Sequence, residues 1–169
     1  MYNTGKENNT RMENKKKRIY VDTTVVLGNF DIGESRRSDT KLFWDAVRSG
    51  EIVVIVSNVL DGELKSNVVA RVQSFLATLP KNRVERTVAS DESDNLAEQY
   101  IAATVVGRGS FNDCRHVALA TILADGIVSW NLGDMVKRAD KYNSVNMAQG
   151  YPEIKIVIPN RYKEIYHET

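Results

Sequence analysis

Cysteine is almost missing from this chain of 169 residues: Cys114 stands alone, so no intramolecular disulfide can form and a reducing, cytoplasmic setting is expected. Long apolar runs are missing too. No stretch approaches the roughly 18 residues that a membrane span needs, so a soluble protein with no membrane partner is expected. The N-terminus carries no apolar signal region, which argues against secretion. Proline is scarce, with 3 residues, and no Pro/Gly-rich linker divides the chain, which points to one domain. A bias of charge is also lacking. The 23 basic and 22 acidic residues leave a net charge of +1, which neither supports nor excludes nucleic acid, since an enzyme that cleaves RNA sets acidic ligands against a basic rim.

What is present is ordinary globular material, 42% hydrophobic and 27% charged, enough for a real core. Residues Met1 to Asn14 are polar, Asn-rich and aperiodic, with Met12 an alternative start. They read as a disordered tail, taken as 1–17, ahead of a domain over 18–169. The basic run Lys15-Lys16-Lys17-Arg18 at their junction is more often a solvated flank than a phosphate contact.

From Arg18 onward short β-branched runs alternate with amphipathic stretches, the pattern of an α/β chain with helices on both faces of a central, mainly parallel sheet. Arg18–Val21, Ile52–Val56, Gly126–Trp130 and Ile154–Ile158 read as strands, with Arg83–Val88 as an edge strand. A first helix is expected after Ser38 or Asp39, turning Leu42, Phe43, Ala46 and Val47 inward and closing at Gly50. Further helices are expected over Val59–Leu64, from a Ser66 cap to Pro80, from Ser90 or Asp91, over Asp113–Ala124, and briefly around Gly133–Ala139.

Ligands of open parallel sheets bind beyond the carboxyl ends of the strands, where loops and helix starts converge. Asp22 and Asn131 fall at such ends, Glu63 lies early in the helix after strand two, and Asp113 opens an apolar helix with Asn112 as a candidate cap. The helix dipole there would favour the ionised form of Asp113. Three acids and an amide match the oxygen ligands that Mg²⁺ or Mn²⁺ prefers. Any one of the 22 acids is more often a solvated surface group, so only the convergence of several carries weight.

The stretch Arg18-Ile19-Tyr20-Val21-Asp22-Thr23-Thr24-Val25-Val26 resembles the opening strand of PIN domains, the metal-dependent ribonucleases that include VapC-type toxins. Ser57-Asn58-Val59-Leu60-Asp61-Gly62-Glu63-Leu64 resembles their second acidic motif, and Asn112-Asp113-Cys114-Arg115-His116-Val117-Ala118-Leu119-Ala120 their third. Ile127-Val128-Ser129-Trp130-Asn131 is similar to the fourth, and Tyr142–Asn146 with Gly150-Tyr151-Pro152 looks like the tail of one bacterial and archaeal branch. The resemblance, over about Arg18–Arg161, implies a three-layer α/β/α PIN-like fold and a Mg²⁺- or Mn²⁺-dependent endoribonuclease leaving 5′-phosphate and 3′-hydroxyl ends. It implies Asp22, Glu63 and Asp113 as metal ligands, with Asn131 beside them in the catalytic set. It also implies an RNA substrate, an antitoxin partner and a homodimer.

Asn131 departs from the pattern, since many PIN domains carry aspartate there and an amide binds metal more weakly, though its carbonyl oxygen can still coordinate. Asp134 could supply the missing charge if its loop folds back; on a short helix it would instead be an exposed acid. His116 is read as a packing or hydrogen-bonding residue, since metal-bound water needs no histidine base, and Cys114 as a small buried hydrophobe. Trp130 could stack on a base, but an aromatic flanking a buried strand is more often core. Thr23 and Ser129 are candidates to orient Asp22 and Asn131 by hydrogen bonds.

Two rivals stand beside this reading, and the sequence argues against the second. One is a PIN-like scaffold with weakened catalysis that binds RNA or protein, motivated by Asn131. The other, a receiver or haloacid-type phosphotransfer domain, also starts from an aspartate after strand one; Thr24 stands where the haloacid type needs a second aspartate, and no acidic pair marks a receiver.

Overall fold

The computed structural model describes residues 17–28 and 34–166, so the expected tail, apart from Lys17, lies outside the described residues. Five strands form one sheet: β1 (Arg18–Val21), β2 (Val53–Ser57), β3 (Val84–Thr87), β4 (Gly126–Val128) and β5 (Lys155–Val157). Their order is β3-β2-β1-β4-β5, and all four pairings are parallel, with Tyr20 opposite both Ile55 and Ile127. A sheet of parallel strands needs cover on both faces. Alternate residues of β1 meet two separate cores, Tyr20 one and Ile19 with Val21 the other.

The Ile19 face packs on α1 (Thr23–Leu27), α2 (Glu34–Arg48), α4 (Ser66–Ala77) and a 3₁₀ segment, Pro159–Ile165. The Tyr20 face packs on α5 (Asp91–Ala102), α6 (Phe111–Leu123) and α7 (Ala139–Ala148). Between them α3 (Val59–Glu63) caps the sheet end, giving Val59 to one core and Leu60 to the other. This is the expected three-layer α/β/α architecture, with the sheet wholly rather than mainly parallel.

Several local expectations change. Leu42 is 60% exposed, and Trp44 is buried in its stead. On a helix each residue turns about 100°, so the stripe shared by Thr40, Phe43, Trp44 and Val47 leaves Leu42 on the far side of Phe43. Gly50 does close α2, with φ +87°. Ser66 makes no capping bond, since α4 starts one residue after Lys65 as cap, whereas Ser90 caps α5 in a reciprocal capping box with Ser93.

The Gly133–Ala139 stretch is a set of turns and a 3₁₀ segment rather than a helix, opened by Met135 and Val136 N–H bonds to the Asn131 carbonyl. The helix lies beyond it, as α7, whose polar sequence ADKYNSVNMA gives little apolar periodicity. Its inner face buries polar groups instead: Tyr100 donates to Asn146 Oδ1, and Asn146 Nδ2 donates to Thr121 Oγ1 at 3.2 Å.

Candidate functional site

The strand order reverses between β1 and β4, because β2 and β3 extend to one side of β1 while β4 and β5 extend to the other. Such a switch point leaves a crevice at the carboxyl ends of its two strands. Asp22 sits in that crevice, 2% exposed. It is the N-cap of α1, its Oδ1 accepting from Val25 N–H at 3.2 Å and from Thr24 Oγ1 at 2.6 Å. Ser129, just past β4, donates to Oδ2 at 2.6 Å. Burial pushes the carboxyl above its ordinary range, against the opposing pull of His116, Ser129, Thr24 and Val25.

From Ser129 the network runs on. Asn131 N–H donates to Ser129 Oγ at 2.9 Å, and Asn131 Nδ2 donates to Asp113 Oδ2 at 3.1 Å. The Asn131 side-chain oxygen accepts Asp134 N–H at 3.1 Å, which folds the loop back. Ser110 Oγ reaches Asp134 Oδ2 at 3.1 Å, and Tyr142 OH donates to the Asp134 carbonyl at 2.8 Å. Asp134 is therefore a half-buried neighbour of Asp113 and not a free acid on a helix. Asn131 lies beside Asp113, its oxygen engaged by the Asp134 backbone and its nitrogen facing the Asp113 carboxylate.

Asp113 lies in the first turn of α6, where Ser110 and not Asn112 stands at the N-cap position, without a side-chain capping bond. The helix dipole does not decide its ionisation. Burial raises its carboxyl to about 6, and the carboxylates of Asp22, Glu63 and Asp134 add to the rise against His116.

Glu63 belongs to a second network. His116 Nε2 lies 2.5 Å from Glu63 Oε1, and Thr23 Oγ1 donates to the same oxygen at 2.9 Å. The Glu63 side chain is 22% exposed. Burial works to raise its carboxyl, but the His116 bond and charge, with Thr23 and Arg115, outweigh it and hold it below the ordinary value. His116, 2% exposed, meets Tyr20 OH through Nδ1 at 2.7 Å, and Tyr20 OH meets Ser57 Oγ at 2.6 Å. A buried chain of hydrogen bonds thus runs from Ser57 through Tyr20 and His116 to Glu63. Sequence reading missed Tyr20 and Ser57; each lies in a β-run where only its polar tip hints at more than core.

Thr23 therefore orients Glu63 and not Asp22, while Thr24, unassigned in the sequence reading, holds Asp22 and accepts Trp130 N–H at 2.9 Å. Trp130 is half-buried; its Nε1 donates to Thr40 Oγ1 at 2.9 Å and its ring carries the Arg36 guanidinium 5.1 Å from the centroid. Cys114 is fully buried, its thiol pushed up to about 12 by burial, far from reactive.

Among the described residues, no three Asp, Glu, His or Cys side chains are set together as a metal-binding group. The hydrogen bonds explain it: Glu63 is drawn to His116 and Thr23, and both Asp22 oxygens are occupied by donors. The donor chemistry nonetheless suits a hard divalent cation, since Asp22, Asp113 and Glu63 offer carboxylate oxygens whose mutual repulsion a cation would relieve.

The fold is a three-layer α/β/α arrangement with acids gathered at its switch point. The structure of Mycobacterium tuberculosis VapC20, described as a Sarcin-Ricin loop cleaving toxin, is similar, with a TM-score of 0.51 and 17% sequence identity, over 80% of this chain and 98% of that one. No family model matches the sequence, and no curated protein matches it. No helix among the described residues is long and apolar enough to cross a membrane.

Proposed function

We propose that this chain is a divalent-metal-dependent endoribonuclease, the toxin of a toxin–antitoxin pair. The carrying observation is the bridge Asp22–Ser129–Asn131–Asp113, which joins the ends of β1, β4 and α6 at one crevice. The fold shared with a toxin described as Sarcin-Ricin loop cleaving supports the reading of a nuclease toxin.

In this reading Asp22, Asp113 and Glu63 would hold the cation. A bound Mg²⁺ or Mn²⁺ lowers the pKa of a water and offsets charge built up at the phosphate. The chain's own work is orientation. Thr24 and Ser129 fix both oxygens of Asp22, Asn131 fixes one oxygen of Asp113, and His116 with Thr23 sets Glu63. Asp134 adds negative charge beside Asp113, in place of the carboxylate that Asn131 lacks.

The test is cleavage of end-labelled RNA with Mg²⁺ or Mn²⁺ and with EDTA. The chain cleaves with metal, EDTA stops it, and Asp22→Asn with Asp113→Asn lowers the rate by about 10³-fold or more. Unchanged cleavage by the double variant defeats the reading. One observation favours a second reading, an RNA- or protein-binding module with weakened catalysis: the Asn131 oxygen is spent on Asp134 N–H. RNA binding without any Mn²⁺ uptake in calorimetry selects that alternative.

A further inference from the structure

A cavity of about 190 Å³ opens beyond the carboxyl ends of β2 and β3, under α3 and α4, outside the acid crevice. It exceeds several-fold the ~30 Å³ that one water takes in the liquid, so it is built for more than a solvent molecule. Its walls are apolar at Leu60 and Leu76, and its polar lining carries opposite charges, Asp61 and Arg86. Arg86 spends one N–H on Gln73 Oε1 at 2.7 Å, which anchors it while leaving further donors. Asn58 accepts Ala89 N–H through Oδ1 at 2.9 Å, and that keeps its amide protons available to give. The Asp61 carboxylate has no hydrogen-bond or ion-pair partner among the described residues.

This chemistry excludes simpler occupants. A phosphate would meet the Asp61 charge, and a hydrocarbon would make no use of the exposed polar edge formed by Asn58, Asp61 and Arg86. A planar ring with donors along one edge and acceptors along another satisfies all of them. Guanine has that distribution: adjacent N1–H and N2–H donors suit a carboxylate, and the O6 and N7 acceptors suit Arg or an amide. Adenine and the pyrimidines lack one half of it. The location agrees, since β2 adjoins β1 and β3 lies one strand further out, some 5–10 Å from the end of β1 by ordinary strand spacing.

We propose that the cavity lined by Asn58, Asp61 and Arg86 receives an unpaired guanine base of the RNA strand whose phosphodiester lies at Asp22 and Asp113. This rests on the ribonuclease reading and extends it to base preference. The test uses the Asp22→Asn, Asp113→Asn chain, which leaves RNA uncut, with labelled U-rich heptamers carrying G, inosine, A or U at the centre, followed by fluorescence anisotropy. The G heptamer binds about tenfold more tightly than A or U, and inosine, without the N2 amino group, loses several-fold. Adding Asp61→Asn or Arg86→Ala removes the preference for G while binding of the all-U heptamer stays within about twofold. Equal binding of all four heptamers, or a G preference untouched by both substitutions, overturns the guanine site and leaves the ribonuclease reading standing. Binding of none overturns the guanine site and, together with no Mg²⁺-dependent cleavage by the parent chain, the ribonuclease reading as well.

Discussion

Asn131 donates its side-chain amide to Asp113 Oδ2 across 3.1 Å, so the residue that departs from an all-acid site neutralises part of the charge it would otherwise add. Asp134 stays close by, its backbone N–H bonded to the Asn131 oxygen and its carboxylate adding to the rise of Asp113. Asn131→Asp replaces that donor with a like charge. The variant is expected to lose about 1–3 kcal/mol of stability in EDTA and to raise the Asp113 pKa further above about 6. Urea unfolding and carboxyl NMR titration measure the two effects, and millimolar Mn²⁺ should restore part of the stability. A variant as stable as the parent in EDTA would show the bond to be inconsequential.

Asp113 also gives the fold a dependence on pH. Its folded pKa of about 6 lies above its ordinary 3.8, so the folded chain binds the proton more tightly than the unfolded one. That contribution is complete below about pH 4 and is lost as pH rises through 6. Screening at this half-buried site leaves about 1–2 kcal/mol. In EDTA, the parent should lose that much relative to Asp113→Asn between pH 4 and pH 7 in urea unfolding. Parallel profiles for the two chains would remove the effect.

The chain from Ser57 through Tyr20 to His116 is buried, so its loss leaves polar atoms without partners. Tyr20→Phe keeps the ring in the core but strips both bonds. A cost of about 1–3 kcal/mol is expected, seen as a lower urea midpoint with unchanged slope. No change in midpoint would show that water replaces the hydroxyl without cost.

Gly126 starts β4 where no side chain fits: a Cβ there would stand 2.8 Å from the Lys155 carbonyl oxygen and from Ile165 Cγ1. Gly126→Ala must push β5 or the Pro159–Ile165 segment aside. Destabilisation of about 1–3 kcal/mol is expected in thermal or urea unfolding. A neutral substitution would mean that this edge yields freely.

The parts legible in the sequence were those written in local pattern. Continuous β-branched runs gave the strands, and Gly50 and Ser90 marked helix ends through backbone and capping chemistry. Asp22, Asp113 and Asn131 stood out because each follows or opens an element at the carboxyl end of the sheet. Contacts across the fold were not legible. Thr23 and Thr24 are neighbours with no local sign that one serves Glu63 and the other Asp22. The return of Asp134 depends on the Asn131 oxygen and on Ser110, 24 residues away in sequence. α7 escaped notice because its buried face is held by Tyr142 and Asn146, polar residues that blur a hydrophobic stripe. Leu42 misled by being apolar yet out of phase with Phe43 and Val47.

The central claim is that the acids at the β1–β4 switch point share one cation. Crystals grown with Mn²⁺ and measured at the manganese absorption edge test it directly. The account predicts one strong anomalous peak within coordination distance, about 2.0–2.3 Å, of carboxylate oxygens from both Asp22 and Asp113, lost in the Asp22→Asn, Asp113→Asn chain. A fully formed crevice with no peak at saturating Mn²⁺, or a peak that touches neither residue, would contradict it.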